Sequence, residues 1–350
     1  MTQADDTMAA SRRLHHLSSA LAPPAAPEPA AGGLLGWLKD SLLGGRDSTA
    51  DGELYQPSVG DDWAAVAPEV AAGWDAEKLD AAFEFAGKAS STGLLVSLNG
   101  RILREEYWAG SLILGGRSDG SETVRKPEDV TDLASAQKGL IAVLFGIAQD
   151  KGLLALSDPV SKHIPGWTHA SAEEEDEITI EHLLTMSTGL DADKGQPEGP
   201  GGGGMHVSVP AGSIWKYNTV AYQTGCHCTL AAATGSSVQE LTREWVLEPI
   251  GCSAASEWRP RVKDTDPPNN GDSTMMPHTV GFFSSPRDMI RLGLLLLGDG
   301  RWNGEAIVST AWLDALSSSC ETNAAYGYLW WLNGKSSVSS PGRAGPGKLS

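Results

Sequence analysis

Cysteine is scarce in this chain. Four occur among 350 residues, at 226, 228, 252 and 320, too few and too scattered for a disulfide framework. Cys226-His227-Cys228 lies within "TVAYQTGCHCTLAAATG", an Ala-rich helical pattern. Neighbours on a helix point about 100° apart, so these three side chains do not converge readily on one ion. No metal and no cofactor is expected. Positive charge is also in short supply: 26 Lys and Arg stand against 44 Asp and Glu, a net charge of −18. Such a chain repels nucleic acid and anionic membrane surfaces, so neither is expected as a partner. Long apolar runs are missing as well. The longest, near 140–148 and 292–297, fall short of the ~20 residues a transmembrane helix needs. The N-terminus lacks the apolar stretch of a secretory signal. "MAASRRLHHLSSAL" from Met8 has the Ser and Arg of an organelle transit peptide, but Asp5 and Asp6 count against it. The cytoplasm is the default compartment.

What is present divides in two. Residues 1–57 are rich in Ala, Pro and Gly, as in "ALAPPAAPEPAAGG", and are expected to be disordered because they bury too little to offset ordering entropy. "LLGWLKDSLL" within them suits a short amphipathic helix. Residues 58–350 hold the folded domain. "GLLVSLNGRILREEYW" predicts strands at 93–98 and 101–108 around Asn99-Gly100, a strong hairpin signal. From 131 to 298 the pattern is mainly helical. Helices are predicted at about 135–150, ending at Gly152, and at 179–186, 219–233 and 237–247. A further helix starts with Ser285 as N-cap, Pro286 at N1 and Asp288 at N3. "EEEDE" at 173–177 reads as a solvated loop and "GPGGGG" at 199–204 as a flexible one, without the Lys-Ser/Thr ending of a phosphate cradle. "YGYLWWL" at 326–332 reads as a strand, and no strand is predicted after it. The layout is α+β: an antiparallel sheet with an inserted helical lobe, and with its last strands missing.

One stretch carries chemistry. "ASAQKGLIAVLFGIAQDKG" opens a greasy helix with a serine and sets a lysine one turn later. A serine hydroxyl is a weak nucleophile until a base takes its proton. Ser135 and Lys138, at i and i+3, fall on one helix face within reach of each other. Leu140, Ile141, Val143, Leu144 and Ile147 anchor that helix in the core. Spacing alone leaves open a capping serine and a lysine that snorkels to the surface. Two imitations compete. Ser213-Ile214-Trp215-Lys216 follows Pro210-Ala211-Gly212 in a loop and reads as accidental. "GRSDG" at 116–120 has the form of a hydrolase nucleophile elbow, but the polar "SETVRKPEDV" follows it instead of a buried helix.

"TDLASAQKGLIAVLFGIAQDKGLLALSDPVSKHIPGW" resembles the beta-lactamase-related serine hydrolases, which include class C beta-lactamases, penicillin-binding DD-peptidases and their esterase and amide-hydrolase relatives. "ITIEHLLTMSTGL", "PAGSIWKYNTVAYQTGCHCTLAAATG", "GFFSSPRDMIRLGLLLLGDGRWNGEAIVS" and "YGYLWW" continue the likeness in order over about residues 60–332. The resemblance implies a beta-lactamase/transpeptidase-like fold and an acyl-enzyme formed on Ser135. It implies that Lys138 assists proton removal and that Tyr217 acts as the base, since a lysine ammonium stabilises a phenolate beside it. Small esters, amides (β-lactams among them) or peptides would be the substrates. Oligomeric state is not implied. Two departures stand out. Thr219 occupies the place where many relatives have Asn two residues after the tyrosine, which turns the expectation from β-lactams toward esters and linear amides. The family's third motif, a Lys-Thr-Gly or His-x-Gly on a later strand that supplies an oxyanion N–H, has no counterpart; Gly334-Lys335-Ser336 is the nearest imitation. The alternative is therefore an impaired scaffold that keeps the fold for a binding or vestigial role.

Overall fold

A computed structural model describes residues 54–58, 63–110, 113–114, 117–118, 123–192, 204–260 and 280–332. The N-terminal segment 1–53, the Gly-rich stretch up to 203 and the tail from 333 lie outside the described residues, so the expectations placed on them are not addressed by it. Packing reaches as far upstream as Leu54 and Tyr55, which lie against the core. The Tyr55 N–H donates to the Asn99 carbonyl at 3.0 Å.

Two helices, α1 (Pro68–Ala71) and α2 (Ala76–Lys88), precede the hairpin of β1 (Gly93–Leu98) and β2 (Arg101–Tyr107). The hairpin matches expectation. Asn99 and Gly100 both have positive φ, +48° and +82°, as a two-residue type I′ turn requires. Gly100 has a second reason to be glycine: a Cβ there would lie 1.9 Å from the Tyr55 carbonyl oxygen. The short pair β3 (Ile113–Leu114) and β4 (Arg117–Ser118) follows. Of the elbow-like "GRSDG", Arg117 and Ser118 form β4, and the remaining three residues lie outside the described ones.

Next come β5 (Thr131–Asp132) and the long α3 (Gln137–Asp150). Every residue of α3 from Gln137 to Ala148 is buried. A helix apolar on all sides belongs in the middle of a core, and α3 lies there. It ends as anticipated, with Gly152 at φ +68°. The chain continues through α4 (Ala172–Asp176), α5 (Ile180–Leu184), the paired β6 (Leu190–Ala192) and β7 (Met205–Val207), and α6 (Thr219–Ala221). A π-helical stretch, Tyr222–Cys226, joins α6 to α7 (His227–Thr234), and a second, Arg243–Leu247, extends α8 (Val238–Thr242). Then come β8 (Glu257–Pro260), β9 (Val280–Ser284), α9 (Pro286–Leu297), the pair β10 (Arg301–Trp302) and β11 (Glu305–Ala306), and α10 (Thr310–Leu316). The cap of α9 is as read: Ser285 accepts from the Asp288 N–H and Pro286 opens the helix.

Among the described residues the strand ladders are antiparallel. The region expected to be mainly helical also contributes a three-stranded sheet in the order β5-β9-β8, with β9 buried at all five positions. This sheet leads straight into α3.

Two expectations are corrected. "EEEDE" is helical: Ser171 and Glu174 form a reciprocal capping box that starts α4. Within it Glu175 is 3% exposed, and its carboxylate accepts from Gly166 N, Thr168 N and Thr168 Oγ1. "YGYLWWL" forms no strand. It folds back on itself through the single bridge Tyr326↔Trp331, with Leu329 at φ +59°. The cause is tertiary. Gly327 lies so close to the Leu316 carbonyl oxygen that a Cβ would come within 2.1 Å, and Leu329 N–H donates to Leu184 O at 2.8 Å. The loop is thereby tied to α10 and α5.

Candidate active site

Ser135 stands on a single 3₁₀ turn, Ala134–Ala136, between β5 and α3. Strand β9 grips both sides of it. Leu133 N–H donates to the Phe282 carbonyl at 2.9 Å, and Gln137 Oε1 accepts from the Phe282 N–H at 2.8 Å. Between them Ala134 takes φ +48°, a left-handed conformation that alanine adopts at a cost of roughly 1–3 kcal/mol. Asp132 Oδ1 accepts from the Ala134 N–H at 2.8 Å and steadies that bend. The bend turns the exposed Ser135 away from the core.

Lys138 does the opposite. It is only 2% exposed, so it does not snorkel, and Ser135 makes no capping bond to the helix. The structure therefore removes both innocent explanations of the pair. Lys138 Nζ donates to Ser135 Oγ at 3.4 Å, at the long end for a hydrogen bond. Its remaining surroundings are aromatic: Nζ lies 4.9 Å from the centre of the Tyr217 ring and 4.4 Å from that of Tyr222. Ring faces are electron-rich and attract a cation.

Tyr217 is thus brought against Lys138. It comes from the loop ahead of α6, held by Lys216 N–H to Met186 O at 2.8 Å and by Asn218 Nδ2 to Leu190 O at 3.0 Å. Asn218 Oδ1 also accepts from Ala221 N and caps α6, while Thr219, in the position of the family's asparagine, is exposed. Tyr222 was missed in sequence reasoning. Its signal was present, since it lies five residues past Tyr217 in the same quoted segment. Burial pushes the Tyr222 phenol well up, so it stays protonated, and at 1% exposure it cannot meet a substrate. Of the two tyrosines at Lys138, only Tyr217 can face a reactant.

The imitations separate cleanly. Ser213 Oγ donates to Pro210 O, and Lys216 is ion-paired with Asp191, so that copy of the motif is used structurally. In Cys226-His227-Cys228, the His227 ring packs edge-on to Tyr222 and Trp258, and the buried Cys226 thiol is pushed up by its desolvation. Among the described residues no three His, Cys, Asp or Glu side chains are grouped to hold an ion. No helix among them is long and apolar enough to cross a membrane.

A third wall of the site comes from the loop before residue 333. Trp330 packs on Gly139, where a Cβ would lie 2.8 Å from Trp330 Cζ2. Trp331 stacks on Tyr217, with centroids 6.4 Å apart and planes 18° from parallel.

An exposed serine thus stands on a strained turn over a buried lysine, with a tyrosine from another segment beside that lysine. A Beta-lactamase family model matches residues 72–347, and the chain belongs to that family. Its enzymes are generally serine hydrolases acting on ester or amide bonds, and the fold is beta-lactamase/transpeptidase-like. An uncharacterized protein of Alkalihalophilus pseudofirmus is 23% identical over 269 residues, covering 69% of this chain and 71% of that one. A beta-lactamase-like protein from Bacteroides dorei DSM 17855 superposes with a TM-score of 0.55 at 17% identity, over 74% of this chain and 79% of the other. EstCE1, described as a hydrolase with promiscuous acyltransferase activity, gives 0.52 at 19% identity, over 73% and 81%. At these identities the two solved structures speak for the fold.

Proposed function

We propose that this chain is a serine hydrolase that cleaves a carboxylic ester or amide through an acyl-enzyme on Ser135. The observation that carries the reading is the exposed Ser135 hydroxyl 3.4 Å from an amine that is otherwise sealed from solvent and faces Tyr217. Tyr217, beside Lys138, takes the Ser135 proton as Oγ attacks the carbonyl carbon. The tetrahedral oxyanion collapses, expels the leaving group, and the same phenol hands that group its proton. Water then repeats the attack on the acyl-enzyme, and the acid leaves. The Ala136 and Gln137 N–H groups are spent on the 3₁₀ turn. The Ser135 N–H is the oxyanion donor we assign. Ester and linear amide substrates suit the site better than β-lactams, since exposed Thr219 offers a hydroxyl where the family presents an amide.

The test is covalent labelling. A fluorophosphonate should modify the folded chain once and leave Ser135→Ala unlabelled. Labelling that survives Ser135→Ala removes the nucleophile. A folded wild-type chain that takes no label, with no ester turnover, favours the silent scaffold instead.

A further inference from the structure

We propose that Trp331 is the substrate-specificity platform of this site and that it selects acyl groups carrying a flat, uncharged aromatic ring. The inference rests on the acyl-enzyme reading and names the substrate class of that same site. Large apolar side chains left in water are few among the described residues, and Trp331, at 49% exposure, is the most open aromatic of them. Its position is not casual. One ring away lies the base: the indole is offset-stacked on Tyr217. Its edges meet Trp215 at 5.3 Å and Tyr326 at 5.0 Å, both of which are buried. The next residue back, Trp330, sits on Gly139, immediately after Lys138. The loop therefore touches both halves of the machinery.

The mounting is firm. Gly327 N–H donates to Trp330 O at 2.9 Å, Leu332 N–H to Ala325 O at 2.8 Å, and Leu329 N–H to Leu184 O. Trp331 is a half-exposed ring with a fixed orientation, clamped from behind by two aromatic edges. Such a surface binds another ring by stacking with little ordering cost, because its own rotamer is already restrained. The local charge selects further. Lys138 Nζ lies 4.9 Å from the centre of the Tyr217 ring on which Trp331 stacks, so a cationic ring is disfavoured relative to a neutral one.

The experiment compares p-nitrophenyl phenylacetate with p-nitrophenyl acetate, which share a leaving group and differ only in the acyl ring. Wild type, Trp331→Ala and Trp331→Phe are measured as full-length chains, with fluorophosphonate labelling of Ser135 as the control in each. The wild type should prefer the phenylacetyl ester. In Trp331→Ala kcat/KM for that ester should fall about tenfold, the scale of one aromatic stacking contact. Acetyl ester turnover should fall by clearly less, so that the phenylacetyl-over-acetyl preference shrinks, and Trp331→Phe should recover most of that preference. Phenylboronic acid should likewise inhibit the wild type more strongly than methylboronic acid, and lose that margin in Trp331→Ala. Equal losses for both esters, or a uniform gain that marks Trp331 as a plug, overturn the platform while intact labelling leaves the hydrolase standing. Absent labelling of the folded wild type removes the hydrolase reading and the platform with it.

Discussion

Lys138 Nζ lies 4.4 Å from the centre of the Tyr222 ring, closer than it lies to the ring of the proposed base. Tyr222 is buried and cannot touch substrate, so it acts through the lysine. Gln137 hydrogen-bonds the Tyr222 side chain, and His227 Nε2 lies 3.4 Å from its hydroxyl. The ring is thus a fixed floor under the ammonium. A desolvated cation–π contact is worth about 2 kcal/mol. Tyr222→Leu should lower kcat for a small ester by about tenfold with KM little changed, whereas Tyr222→Phe, which keeps the ring face, should restore most of the rate. Steady-state kinetics on variants matched for circular dichroism checks this, and equal losses in both variants would point to packing alone.

Gly146 faces Trp312 so closely that a Cβ would lie 2.3 Å from Trp312 Cδ1. Helix propensity favours Ala over Gly by about 1 kcal/mol, so Gly146→Ala would stabilise an open helix. Here the indole cannot retreat freely, because its Nε1 donates to Ala142 O at 3.0 Å. Overpacking of this kind costs about 1–3 kcal/mol. Net destabilisation is expected, read as a lower urea midpoint at unchanged slope.

Glu175 is the hub of the turn that leads to α5. Removing its carboxylate leaves the Thr168 N–H and hydroxyl and the Gly166 N–H without an acceptor. A buried group stripped of its partner costs about 1–3 kcal/mol. Glu175→Ala should therefore destabilise by about 2 kcal/mol, the middle of that range, and Glu175→Gln by less, since one acceptor oxygen remains. Chemical denaturation at neutral pH measures both.

Arg287 on α9 grips Glu105 on β2 with two hydrogen bonds, 2.5 and 3.1 Å, and the Tyr107 hydroxyl adds a third. Burial pushes the Glu105 carboxyl up, but these donors outweigh it and hold it below its ordinary value. A depressed carboxyl stabilises the fold above its unfolded-state pKa, about 4.3 for glutamate, and that contribution fades as pH falls through the lower folded value. Arg287→Met should therefore cost about 1 kcal/mol near pH 7, and the gap from wild type should close below pH 4. Denaturation midpoints across pH 3–7 follow it; a gap that persists unchanged in acid would assign the loss to packing.

Much of this was legible because local chemistry and tertiary structure agreed. The Asn99-Gly100 turn, the Ser285 cap and the uninterrupted apolar run of α3 each left one sensible conformation. Ser135 and Lys138 could be paired from spacing, since the 3₁₀ turn that runs directly into α3 keeps them about one turn apart. Tyr217 could not, and was reached through the family's pattern of segments. The capping box of α4 was in plain view as Ser171 to Glu174, masked by the habit of reading acidic runs as solvated. The fold-back at Tyr326–Trp331 was out of reach of any periodicity argument. Its aromatic residues suit a strand, and contacts with Leu316 and Leu184, distant in sequence, overrule that preference. Trp331 as a wall of the site went unseen for the same reason.

The π-helical stretch Tyr222–Cys226 carries one residue more than an α-helical path between the same ends would hold. That surplus is a phase setting. Excising one residue there would let the stretch close into a regular α-helix between the same ends, and the wide turn that now sets the Tyr222 ring beneath Lys138 would be lost. Evolutionary drift in this stretch is thus held in length as well as at Tyr222, and a redesign that regularises the helix for stability would disturb the site it supports.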